Sequence, residues 1–248
     1  MRLLRFTGFS LLEYLRSGRV AIEIIAALLI YAIFLRRPMD VTYFFNVVGI
    51  FTPLLTLYTM AIVISLGDRP QGYVVVSRGI GRATFLLGLF FTAWTLVAGT
   101  YGLISVIVAL FNPPTELDLL NWLLGTLPLL LNIGLLAALM LLLSPLVLPT
   151  GWRLFILSLI ALAFSGNFIG GQLLNALPEA VRALLRALQA LLGGPLVPAF
   201  YGFQLAVTRD YSSATALANL FAQASLLISL LGLAIYAFAR RDLIFSTQ

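Results

Sequence analysis

From Phe44 to Leu66 the chain runs for 23 residues without one charged side chain. A helix rises about 1.5 Å per residue, so a run of this length reaches across the roughly 30 Å of hydrocarbon in a bilayer. Five further apolar runs stand at Val20–Leu35, Ala83–Phe111, Leu119–Ser144, Trp152–Phe168 and Ala214–Ala239. Hydrophobic residues make up 61% of the chain and charged residues 10%, against about 25% charged in a soluble domain. A soluble core this apolar would have no polar shell to cover it. The expectation is an all-α integral membrane protein, with residues 1–248 as a single transmembrane domain. Its six spans fall at 20–35, 44–66, 83–111, 119–144, 152–168 and 214–239. No secretory cleavage pattern follows the first run, which is read as a retained span.

The placement of charge sets an orientation. All 15 basic residues are arginine. With the N-terminus inside, Arg2, Arg5, Arg16, Arg19, Arg69, Arg78, Arg82, Arg153, Arg240 and Arg241 fall on the inner side. Arg36, Arg37, Arg182, Arg186 and Arg209 fall on the outer side. Ten against five favours both termini in the cytoplasm, with the Arg36-Arg37 pair offset in part by Asp40. The net charge of +6 is accounted for by anionic lipid headgroups at the span ends, and no basic groove interleaved with aromatics suggests nucleic acid.

Composition also removes chemistry. The chain has no histidine, cysteine or lysine. Without lysine there is no Walker A loop, and without histidine or cysteine there is no histidine-dependent hydrolysis and no thiolate metal site. Gly79-Ile80-Gly81 follows no strand and lacks the third glycine of a dinucleotide fingerprint, so it reads as a joint. Asp40, Asp68, Asp118, Asp210 and Asp242 all fall outside the apolar runs, which leaves no buried aspartate pair for intramembrane proteolysis. The chain is expected to have no catalytic site and to hold no metal.

Three segments are neither spans nor simple loops. In residues 1–19, Leu4, Leu11, Leu12 and Leu15 share one helical face and Arg2, Arg5, Glu13 and Arg16 the opposite one, the pattern of a helix lying in the membrane interface. In 177–207, apolar positions repeat at helical spacing between Pro178 and Gly193-Gly194, with a short apolar stretch beyond. This reads as an outer amphipathic and re-entrant segment. In 67–82, Pro70 suits a first helical turn, Asp68 its positive end, and Gly79 and Gly81 a turn into the next span.

Polar residues within the spans are few. Glu23 is the one acidic residue in an apolar run, and Arg19 four residues earlier predicts a helix-surface ion pair. Thr52, Thr56 and Thr59 form one hydroxyl stripe. It serves either bonds to backbone and neighbouring helices or, with Asn167, the lining of a translocation path.

This ordered layout, with "GDRPQGYVVVSRGIGRATFLLG" after the second span and "FARRDL" near the C-terminus, resembles the ABC-2 type family of ABC transporter permeases over nearly the whole chain. The resemblance implies that 67–82 is a coupling helix docking on a separate ATPase subunit, through Asp68, Arg69, Gln71, Tyr73, Ser77, Arg78 and Arg82. Where the family often carries a glutamate at the end of the second span, this chain has Asp68 nearby. Arg78 and Arg82 serve otherwise as lipid-surface anchors. The resemblance further implies a second permease copy, identical or related, ATP and magnesium on the partner ATPase, export of substrate, and a plasma membrane such as a bacterial inner membrane. Two rivals are an ion-coupled secondary transporter or channel, which predicts an ion site and symmetry between halves, and a non-transport membrane scaffold.

Overall fold

The computed structural model describes residues 2–68, 80–115, 118–164, 201–212 and 214–240, with positions 179, 181, 183, 184, 187 and 190. All named elements among them are helical. They are α1 (Arg2–Arg16), α2 (Val20–Ile30) continued by a π turn (Tyr31–Leu35), α3 (Val41–Gly67), α4 (Arg82–Phe111), α5 (Leu119–Leu142), α6 (Thr150–Phe164) and α7 (Ala214–Arg240).

Helices α3, α4, α5 and α7 are each long and apolar enough to cross a membrane, which is compatible with a multi-pass membrane protein. Among the described residues, four of the six expected spans meet that length, or five if α1 and Val20–Leu35 form one broken span with a 73° bend. Val20–Leu35 has 11 α-helical residues and a π turn of 5, which falls short of a hydrocarbon core about 30 Å thick. The run at Trp152–Phe168 is helical over the 15 residues Thr150–Phe164, and 165–168 lie outside the described residues.

Helix ends follow their caps. Asp40 accepts from the Tyr43 N–H at 3.0 Å and Asp118 from the Asn121 N–H at 2.7 Å, and with the first cap α3 begins at Val41, three residues before the expected span 44–66. Pro53 and Pro128 sit inside α3 and α5, where packed neighbours in a membrane bundle tolerate them. The bend between α1 and α2 turns on Gly18, whose φ of +73° is left-handed backbone that only glycine adopts without strain.

The core has two parts. At the end holding α1, Met60, Phe85, Leu86, Ala137, Leu141 and Phe238 are buried together. There Phe6 of α1, Phe85 of α4 and Phe238 of α7 make a row of rings, with centroids 5.4 Å and 6.2 Å apart. At the other end Phe44, Phe45, Tyr101, Ile104, Leu129 and Ile133 pack. That end is closed by Asn112, whose amide donates to the backbone oxygens of Leu35 and Arg37, and by the Thr115 N–H donating to the Met39 carbonyl. Helical residues 201–208 sit here too: Leu205 and Ala206 are buried, and Phe203 lies against Gly49 of α3. Most of the outer segment 177–207 lies outside the described residues.

Helix α1 has three sides rather than the two read from its sequence. Phe6, Thr7 and Tyr14 face the bundle; Leu4, Leu12 and Leu15 are exposed; Arg2, Arg5 and Arg16 are exposed on the remaining side. At 3.6 residues per turn the sides follow one another in that order around the axis.

Candidate functional site

The polar groups that join α1, α2 and α3 are the most unusual in the bundle. Glu23, in the first turn of α2, has no exposed surface. Its Oε1 accepts from the Tyr14 hydroxyl of α1 at 2.6 Å and from the Thr59 hydroxyl of α3 at 2.6 Å. Burial raises the Tyr14 phenol above its ordinary value, and the hydrogen bond and negative charge of Glu23 add to that, so the phenol keeps its proton and donates. The Glu23 Oε2 atom is buried with no hydrogen-bond partner among the described residues. The ion pair with Arg19 expected from their spacing is not formed. The 73° bend at Gly18 turns α1 off the axis of α2, and Tyr14 meets the carboxylate instead.

The threonine stripe divides in role. Thr52, Thr56 and Thr59 are all fully buried within the chain. The Thr56 hydroxyl donates to the Thr52 carbonyl at 2.7 Å, the backbone bond that threonine commonly makes in an apolar helix. Thr52 Oγ1 has no partner among the described residues, and Thr59 alone of the three crosses to another helix. Asn167, the fourth residue of the expected path, lies outside the described residues.

The charged connection between α3 and α4 is placed at its edges only. Arg69, Gln71, Tyr73, Ser77 and Arg78 lie outside the described residues. Asp68 caps the C-terminus of α3, its N–H donating to the Ile64 carbonyl at 2.9 Å. Arg82, the first residue of α4, sends its guanidinium to the Phe238 and Ala239 carbonyls of α7, at 3.2 Å and 2.7 Å. A cation there meets the negative end of the α7 dipole and the carbonyls that end a helix. We expect Arg82→Ala to lower stability by about 1–2 kcal/mol and Arg82→Lys by less, read as thermal unfolding in detergent.

Two features escaped the sequence reading. The Arg82–α7 contact joins residues 156 and 157 positions apart, and no local pattern announces it. The Tyr14 contact had a signal: Leu3, Phe6, Thr7, Ser10 and Tyr14 recur at helical spacing, a third face between the leucines and the arginines. The Tyr14 and Thr59 hydroxyls and the Glu23 carboxylate compose a joint between three helices. No protein-family model, curated protein or solved structure matches the chain.

Proposed function

We propose that the chain is the membrane-spanning permease subunit of an ABC transporter of the ABC-2 type, an exporter driven by ATP hydrolysis on a separate ATPase subunit. The observation that carries the reading is how the α3–α4 connection is anchored. One edge is the cap of α3 at Asp68, and the other is Arg82, bonded to the end of α7. A push on residues between these edges would move α3, α4 and α7 together, as a rigid-body transition requires. The Phe6–Phe85 contact and the Glu23–Thr59 bond would carry α1 and α2 with them.

In this reading α1 lies in the cytoplasmic interface. Its three sides suit it to that place, one toward protein, one of leucine toward acyl chains, one of arginine toward headgroups and water. Two permease copies would pair with two ATPase subunits that bind ATP and magnesium. Substrate would leave between the permeases, in a plasma membrane with both termini cytoplasmic. Asp68, Arg69, Gln71, Tyr73, Ser77 and Arg78 would face the ATPase, while Arg82 would transmit the movement to α7.

The test is purification from the native membrane with companions identified by mass spectrometry, for wild type and for Arg69→Glu combined with Arg78→Glu. Arg82 is left intact because its role is in the bundle. We expect a stoichiometric P-loop ATPase with wild type, reduced about tenfold or more by the charge reversal, since like charges brought together at an interface cost several kcal/mol. A folded protein that carries no ATPase refutes the proposal.

The buried Glu23, whose Oε2 has no partner among the described residues, favours a second reading, an ion-coupled secondary transporter. Transport that persists without any ATPase and is lost in Glu23→Gln would select it.

A further inference from the structure

A cavity of about 280 Å³ lies at the arginine-rich end, between α1, α3 and α4. Phe6, Leu66, Phe85 and Leu89 form its apolar walls, and Ser10 and Glu13 of α1 are its polar positions on that helix. At about 30 Å³ per water-sized group, it has room for roughly nine such groups, a stretch of one acyl chain. Glu13 is the one charged residue in its lining, half-buried and without an ion-pair partner among the described residues.

The rim of the cavity has a charge pattern. Along α1, Arg5, Phe9, Glu13 and Arg16 follow one another at spacings of four, four and three residues, so they form a row on one side of the helix. Phe9 and Glu13 of this row line the cavity, and Arg5 and Arg16 are exposed. Glu13 therefore stands less than one helical turn from Arg16 and about two turns from Arg5, beside an apolar hole with room for part of one chain.

We propose that this cavity is a binding site for a zwitterionic aminophospholipid. Its primary ammonium sits on Glu13, its phosphate on the flanking arginine Arg16 or Arg5, and part of one acyl chain lies between Phe6, Phe85 and Leu89. In phosphatidylethanolamine the ammonium and the phosphate are neighbouring groups of opposite sign, as the row requires. A primary ammonium donates charge-assisted hydrogen bonds to a carboxylate, which a glycerol headgroup cannot do. The exposed Leu4, Leu12 and Leu15 put the same helix beside acyl chains, so the ligand reaches the cavity from the bilayer. The site does not depend on the transport reading and needs no partner chain.

The full-length protein, purified in detergent and stripped of endogenous lipid, is offered dioleoyl phosphatidylethanolamine and dioleoyl phosphatidylglycerol in equal amounts. Native mass spectrometry reads the first lipid bound. We expect the ratio of phosphatidylethanolamine to phosphatidylglycerol to fall about three- to fivefold in Glu13→Gln, the change that one partly exposed ion pair supports. Comparing ratios cancels the general attraction of the arginines for anionic lipid. Ser10→Phe, which fills the cavity without altering its charge, is expected to lower occupancy by both lipids. An unchanged ratio in a Glu13→Gln protein that melts as wild type does would overturn the proposal. So would full lipid occupancy in Ser10→Phe.

Discussion

Replacing Glu23 with alanine is expected to destabilise the protein by about 2–3 kcal/mol. Interhelical hydrogen bonds in membrane proteins average about 0.6 kcal/mol and reach about 1.7, and the Glu23 bonds are placed to lie near the top of that range. Both are 2.6 Å long, both converge on one oxygen, and the carboxylate has no exposed surface. Truncation removes the acceptor of two buried hydroxyls and leaves a hole that water does not readily fill. The single changes Tyr14→Phe and Thr59→Val each delete one donor and are expected to cost about 1 kcal/mol. Because the two donors share an oxygen, the double change should cost less than the sum of the single ones, the signature of a coupled trio. Reversible unfolding in detergent micelles measures all four proteins. A loss below about 0.5 kcal/mol for Glu23→Ala, the ordinary range for surface substitutions, would show that the joint contributes nothing to holding α1 and α2 on α3.

The joint also marks the boundary of what the sequence could reveal. Membrane-crossing helices are legible because about twenty residues of composition average out local exceptions. The described ends of α3, α4, α5 and α7 differ from the apolar runs by three residues or fewer, and the largest difference, at the start of α3, traces to Asp40, whose cap draws Val41, Thr42 and Tyr43 into the helix. Spacing alone paired Glu23 with Arg19, since residues four apart on a continuous helix are neighbours. The glycine that breaks the helix lies immediately before Arg19. Once the chain bends at Gly18, Glu23 is bonded by Tyr14, on the other side of the break, and not by Arg19. A two-sided helical wheel hid the same contact, because a helix at the meeting of protein, lipid and water needs three sides. The segment read as most functional, 67–82, is described only at its edges, and there Arg82 proves to be bonded to α7.

Gly88→Val should be more damaging than its exposed counterpart by a wide margin. Gly88 lies in α4 directly beneath the ring of Phe6, and a Cβ placed on it would overlap the Phe6 ring atoms Cδ1 and Cε1. Movement of Phe6 is restricted by its tilted contact with Phe85, whose ring in turn stacks on Phe238. A branched side chain at 88 must therefore lift α1 from α4 or turn the whole row of rings. Overpacking of this kind costs about 1–3 kcal/mol and at times more, and valine adds χ1 restriction to it. Gly99, in the same helix with nothing near its Cβ position, is the control: Gly99→Ala should be neutral or slightly stabilising, by about 0–1 kcal/mol. Phe6→Ala in the Gly88→Val background should recover part of the loss by vacating the space, although Phe6→Ala alone destabilises through the lost ring. Unfolding measurements on the four proteins separate the effects, and a crosslink between α1 and α4 reports whether α1 has moved. If Gly88→Val melts with wild type, α1 is not held by the Phe6 contact. The bent helix would then be a loosely attached arm, and movement of α4 could not carry it.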